Sequence, residues 1–325
     1  MRFGYAANIK IPPPHSRLTS ANQIGGIMKE VLFVSFSGGR TSAYMSKWLI
    51  DNMSHKYEFT FVFANTGQEH EKTLEFVDAC DKNWGLNIVW LEAVVNPQKG
   101  KGVRHKIVSF DTASRDGEPF EQQIKKEGIP NATFNQCSER LKLLPMMSYR
   151  RSLGVRAKHV AAVGIRIDEI DRVNFEAKDK GELIYPLVFM RPTTKGEIVE
   201  WWSKQSFDLE VPEHLGNCVT CWKKSDRKLM TIARHEPERF DFFARMEKEN
   251  SFKGARREGD NEPRKFFRKY RTTADIIATS KQPFVEFKDF KPEFQPDMFY
   301  EIDELDRTSG CDDSCEVYEA DNKAY

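Results

Sequence analysis

VLFVSFSGGRTSAYMSKWL, residues 31–49, joins two patterns through a turn of glycine and hydroxyl side chains. Residues 31–36 are an almost unbroken apolar run of strand length, as expected for a strand buried on both faces. From Thr41 to Asn52 the apolar residues Tyr44, Met45, Trp48 and Leu49 recur at helical spacing. Between the two lie Ser37, Gly38, Gly39, Arg40, Thr41 and Ser42. Glycines at a strand-to-helix turn let backbone N–H groups come close to a ligand. The helix that follows adds unpaired donors and the positive end of its dipole. With the hydroxyls of Ser37, Thr41 and Ser42 and the charge of Arg40, the turn reads as a phosphate cradle. It is not the Walker pattern G-x-x-x-x-G-K-[ST], which occurs nowhere in the chain.

The same pattern repeats downstream. EFTFVFA (58–64) reads as a second strand, followed by an NTG turn and a helix. NIVWLEAVV (87–95) reads as a third strand, HVAAVGI (159–165) as a fourth and LIYPLVF (183–189) as a shorter fifth. Strands alternating with helices predict an α/β fold with a doubly wound, mainly parallel sheet. Ligands in such sheets bind at the carboxyl ends of the strands. The SGGRTS, NTG and GIRIDE turns all fall there, so one shared site is expected. After about residue 190 the pattern becomes helical, with candidate helices at 194–205, 225–235, 237–249 and 263–279.

The 325 residues include 24 Phe, enough for a sizeable core, and the formal net charge of +1 selects no partner. The sequence has no apolar run long enough to span a bilayer and no secretory signal at its start, so a cytoplasmic protein without membrane attachment is expected. In that setting the six cysteines point to metal or redox chemistry before disulfides. Cys218-Val-Thr-Cys221 is a C-x-x-C knuckle that fits plain thiols, a redox pair or half a metal site. Cys80, beside Phe76 and Val77, reads as a core thiol. Three segments are rich in Lys and Arg: 96–106, 140–158 and 253–271, the last interleaved with Phe266, Phe267 and Tyr270. Each suits a nucleic-acid backbone with stacking aromatics. Each also suits a solvated face over core Phe, and that reading is preferred patch by patch.

Four motifs in order carry a resemblance. SGGRTS (37–42) resembles the PP-loop, S-G-G-x-[DT]-S, of the adenine nucleotide alpha hydrolases. FANTGQEHEKTLEFV (63–77) resembles D-T-G-x-E-x-x-E-T-x-x-F: Asn65 replaces the Asp, while Thr66, Gly67, Glu69, Thr73 and Phe76 fit. GIRIDEIDR (164–172) resembles G-x-R-x-x-E-x-x-R, and CSERLKLLP (137–145) resembles C-x-x-x-x-K-x-x-P. The set is most similar to phage and bacterial proteins of the phosphoadenosine phosphosulfate reductase family and to enzymes of DNA phosphorothioation. The resemblance implies a Rossmann-like nucleotide-binding domain over 29–192. Pro12-Pro13-Pro14 and Gly25-Gly26 predict a flexible leader at 1–28, the helical pattern a CxxC-bearing C-terminal region over 193–299, and the charge an acidic, cysteine-containing tail at 300–325.

It also implies a nucleotide site, for ATP or phosphoadenosine phosphosulfate with Mg²⁺. The site would be formed by Ser35, Ser37, Gly38, Gly39, Arg40, Thr41, Ser42, Asn65, Thr66, Gly67, Gly164 and Arg166. Catalytic roles would fall to Arg40, Lys142, Arg166 and Glu169, with Asp168 near the Mg²⁺. Cys137, Cys218, Cys221 and one tail cysteine would hold a 4Fe-4S cluster, zinc being the alternative; of Cys311 and Cys315 the extended flank SCEV favours Cys315. The implied reaction is attack on the alpha phosphate of ATP, with release of pyrophosphate, coupled to sulfur transfer. A phosphosulfate reductase and an idle nucleotide- or nucleic-acid-binding module are the alternatives. The reductases' C-terminal E-C-G-x-H motif is missing. The acceptor stays open between a nucleic acid and a small molecule, with a sulfur-donor protein as a further partner.

Overall fold

A computed structural model of the chain describes residues 29–155, 160–255, 259 and 261–289. The apolar run becomes strand β1 (Glu30–Ser35), and the cradle turn feeds helix α1 (Arg40–Met53). β2 (Tyr57–Asn65), α2 (Glu71–Trp84) and β3 (Val89–Val95) repeat the unit. α2 ends where Gly85 turns left-handed, φ +63°, and its N–H reaches back to Asp81 O. β4 (Val103–Val108), α3 (Glu118–Glu127), a wide π-type turn at Glu139–Leu143 and α4 (Leu144–Ser152) follow. Then come β5 (Ala161–Ala162), a 3-10 segment at Ile167–Arg172, α5 (Phe175–Asp179), β6 (Leu183–Ile184) and α6 (Pro186–Phe189). The C-terminal helices are α7 (Lys195–Trp202), α8 (Asp226–His235), α9 (Asp241–Asn250) and α10 (Thr273–Ser280).

The sheet order is β4-β3-β2-β1-β5-β6. Its pairings are parallel except for β3 with β4. This is the doubly wound, mainly parallel α/β sheet that the sequence predicts. The chain steps outward from β1 to β4 and then returns across β1 to lay down β5. The switch point therefore lies between β1 and β5, where the cradle turn and the GIRIDE turn emerge. Alternate strand residues feed two layers. Leu32, Val34 and Phe36 pack with Met45, Leu49 and Phe76 on one face. Phe33, Val62 and Leu91 pack with Met146 and Tyr149 of α4 on the other. Each fully buried Leu or Phe contributes roughly 1.5–3 kcal/mol. The first layer continues into Trp202, Leu229, Phe243 and Phe266, so the helical region shares the core of the sheet.

Several expectations change. The strand expected over 183–189 stops at Ile184, because Pro186 has no N–H for the ladder and opens α6 instead. The fourth strand shrinks to Ala161–Ala162. The helix expected over 263–279 begins only at Thr273, since Lys269 and Tyr270 adopt φ of +58° and +54°. The candidate at 237–249 splits into a 3-10 turn at Pro237–Phe240 and α9. β4 was hidden by Arg104, His105 and Lys106, charges that an edge strand tolerates. No described helix is long and apolar enough to cross a membrane.

Candidate nucleotide site

The cradle turn is stitched by its own hydroxyls. Ser37 N and Ser37 Oγ both donate to Ser42 Oγ, at 3.1 and 2.9 Å, and Ser42 Oγ donates to Gly39 O at 3.0 Å. Gly38 sits at φ +84°, and a Cβ there would lie 2.8 Å from Thr73 Cγ2. Gly39 precedes α1 in extended conformation; no side chain caps the helix and no acid lies in its first turn. Those open N-terminal amides favour an anion. Ser35 and Ser42 are buried, so they shape the turn from behind.

Gly38, Gly39, Arg40 and Thr41 form one wall of a cavity, with Thr73 and Arg166. Ile198 and Val199 of α7 and Leu209, Val211 and Pro212 beyond it form an apolar wall. Lys195 and Glu213, ion-paired at 2.9 Å, lie at its polar end. Arg166 is buried, and its Nη1 donates to Thr41 Oγ1 at 3.2 Å, joining the first motif to the third. Its Nε donates to Asp168 at 3.1 Å, so that carboxylate faces a guanidinium. Glu169 pairs with both Arg166 and Arg172. Gly164 is buried just beyond β5.

Arg40 lines the cavity, yet its guanidinium is committed elsewhere. It forks onto Asp208 at 2.7 and 2.8 Å and donates to Leu209 O at 2.7 Å, while Trp202 Nε1 donates to Arg40 O at 3.0 Å. Arg40 thus clips the 207–217 segment over the turn. Asn65 has no exposed surface and does not line the cavity. Gly67, φ +78°, allows the 114–117 loop to pack on the NTG turn, since a Cβ would meet Ser114 Oγ at 2.8 Å. Thr66 N and Oγ1 both donate to the Glu69 carboxylate at 2.9 Å.

A second cavity lies beside that turn, with Thr66 in its lining. Cys137, Cys218 and Cys221 line it together with Thr66, Lys142 and the rings of Phe120, Trp222 and Phe243. The C-x-x-C knuckle docks directly on the turn: Val219 N donates to Gln68 O at 2.9 Å, and Cys218 Sγ lies 3.3 Å from Thr66 Oγ1. Lys142, expected at the nucleotide, is buried beside these thiols instead. Three thiols suit a thiophilic metal. Among the described residues, however, no group of three His, Cys, Asp or Glu side chains is arranged to hold one. Cys315 lies outside the described residues. Cys80 is fully buried, and burial pushes its thiol pKa well up.

The aromatics of the third basic segment divide. Phe266 and Phe267 are core, and Tyr270 is 79% exposed. Arg268 and Arg271 both pair with Asp226. Sequence reasoning missed Glu92, Asp208 and the apolar wall. Only Glu92 carried a signal, as the lone acid in the buried run VWLEAVV.

The chain matches the phosphoadenosine phosphosulfate reductase domain over residues 31–177. It is 36% identical over 207 residues to the uncharacterized nin region protein ORF290 of Escherichia phage lambda, covering 62% of this chain and 69% of that protein. Two uncharacterized proteins of Methanocaldococcus jannaschii are 26% and 30% identical over 122 and 115 residues. Those matches cover 38% and 35% of this chain but only 20% and 21% of the archaeal proteins.

Proposed function

The chain belongs to the phosphoadenosine phosphosulfate reductase family, within the PP-loop adenine nucleotide alpha hydrolase superfamily, and from that premise we propose that it activates ATP at the alpha phosphate and couples this to sulfur transfer. The observation that carries the reading is the cavity between the SGGRTS turn and the apolar wall, with Arg166 at its base. Open amides at the start of α1 and the Thr41 hydroxyl receive the phosphates, and Arg166 holds negative charge beside them. The flat face of the base rests on Ile198, Val199 and Val211. Pyrophosphate, the leaving group, stays on the turn while the acceptor attacks phosphorus, so the donors are in place before charge develops. Mg²⁺ enters with the phosphates.

Cys137, Cys218 and Cys221 would supply thiolates to a 4Fe-4S cluster or zinc, with Cys315 as fourth donor; such a cluster would supply redox or structural chemistry behind the NTG turn. The three thiols also favour a second reading, reduction of a phosphosulfate. Product analysis separates the two. AMP and pyrophosphate from ATP with acceptor and sulfur donor present support the first reading. Release of sulfite from a phosphosulfate supports the second. ADP and phosphate from ATP overturn the first.

A further inference from the structure

Asn65 uses its side chain in both senses. Its Nδ2 donates to Glu92 Oε1 at 2.8 Å and to Ser114 O at 2.9 Å, while its Oδ1 accepts from Gly67 N at 3.2 Å. Glu92 is 1% exposed and sits inside β3. The same Oε1 accepts from Ser114 N at 2.6 Å, and Lys106 Nζ stands 3.6 Å from Oε2. A buried carboxylate needs donors, and Asn65 and Ser114 provide them. In return the carboxylate fixes both the end of β2 and the loop that packs on Gly67.

We propose that Asn65 and Glu92 form one buried amide–carboxylate unit that sets the 65–69 turn beside the thiol cavity, making Asn65 a positioning residue that nucleotide binding requires although it does not line the nucleotide cavity. The proposal rests on the nucleotide reading above. The turn matters to both cavities because Thr66 lines the thiol cavity and Thr73, at the start of α2 just beyond the turn, lines the phosphate cavity and touches the space behind Gly38. An ionised aspartate in place of Asn65 could donate nothing, and it would set two carboxylates against each other in a dry site. The pair would then need a shared proton. The other charged groups around it are Lys106 from β4, Glu69 of the turn, Asp116, and Arg115 with its partner Glu71. All of these are unchanged in the variants that follow.

Asn65→Asp, Glu92→Gln and the double variant test this by calorimetric ATP affinity and by melting temperature, each at pH 5.5 and pH 8. Asn65→Asp should lose at least about tenfold in affinity at pH 8 and regain part of it at pH 5.5, where the protonated carboxyl introduced by the substitution donates its one proton to Glu92 while Ser114 O stays without its donor. The double variant, Asn65→Asp with Glu92→Gln, should regain at least about threefold of that loss at pH 8, because an amide again faces a carboxylate, although Ser114 O keeps no donor from residue 65. The sign of the stability change follows. The folded pair holds a proton that the unfolded chain releases, so the single variant is relatively stable at low pH and loses stability as pH rises. Wild-type affinity in Asn65→Asp at pH 8 overturns the proposal, as does an equal loss at both pH values that Glu92→Gln leaves unrepaired. If wild type itself fails to bind ATP, the nucleotide reading falls. The melting temperatures then decide the pair alone: a pH-dependent drop repaired by Glu92→Gln keeps it, and a pH-independent drop removes it.

Discussion

The two cavities are lined by different residues and are built in opposite ways. The phosphate-side cavity starts from a local device: six consecutive residues whose hydroxyls and glycines fold on themselves, with Ser42 as the knot. The thiol cavity has no local device. Residues 66, 137–142 and 218–222, far apart in sequence, meet there, and aromatic rings fill the space between them. A site made of backbone close to itself is brittle to any added atom. A site made of side chains from distant segments is sensitive to each segment's docking and forgiving of single atoms. The first should therefore fail in binding, the second in assembly.

Gly38→Val should give the largest effect. Positive φ and a Cβ 2.8 Å from Thr73 add strain of about 2–4 kcal/mol. ATP affinity should fall by about a hundredfold or more, read by calorimetry beside a denaturant melt. Cys221→Ser, at the other cavity, should leave ATP affinity within about twofold. Comparable losses from the two would break the comparison.

Next comes the clip. Arg40→Ala and Asp208→Ala should each cost about 1 kcal/mol of stability, and a double-mutant cycle should show coupling of roughly 0.5–1 kcal/mol, since the pair is partly exposed at 28% and 37%. Nucleotide affinity should weaken in both, because Asp208 holds the wall through Arg40 and does not itself line the cavity. A loss confined to Arg40→Ala would return the guanidinium to the phosphates.

A smaller effect is expected at the start of α2. His70 Nδ1 accepts from Lys72 N at 3.1 Å, and burial foremost, then Arg239, holds its pKa below the usual imidazole value. Protonation removes that acceptor. The folded pKa lies below the unfolded one, so the contribution is present above about pH 6.5 and is lost as pH falls through the folded value. His70→Asn, which caps at any pH, should flatten stability between pH 7 and pH 5 by about 1 kcal/mol. An unchanged slope would show that the cap does not respond to pH.

Sequence alone revealed what was local. The run ending at Phe36, the glycines after it and the helical spacing beyond them predict β1, the turn and α1 with boundaries close to those observed. Cys218 and Cys221 marked themselves by spacing. Partnerships across the fold were hidden. Nothing near Arg40 announces Asp208, 168 residues away. Asn65 reads as a ligand until Glu92 is seen to take its amide. Lys142 sits in a motif that suggests the nucleotide, yet the π-type turn carries it to the thiols. Val103–Val108 hid as a basic patch because an edge strand does not alternate cleanly.

The clip also sets a schedule. A ribosome adding roughly 5–20 residues per second makes Arg40 long before Asp208, by about ten to thirty seconds for a separation of 168 residues. Throughout that interval β1 to β4 can pair in order of synthesis, but the cradle faces open water with no wall opposite it. The nascent chain carries its most recognisable motif from the start and gains a closed pocket only after the segment through residue 217 has emerged and docked.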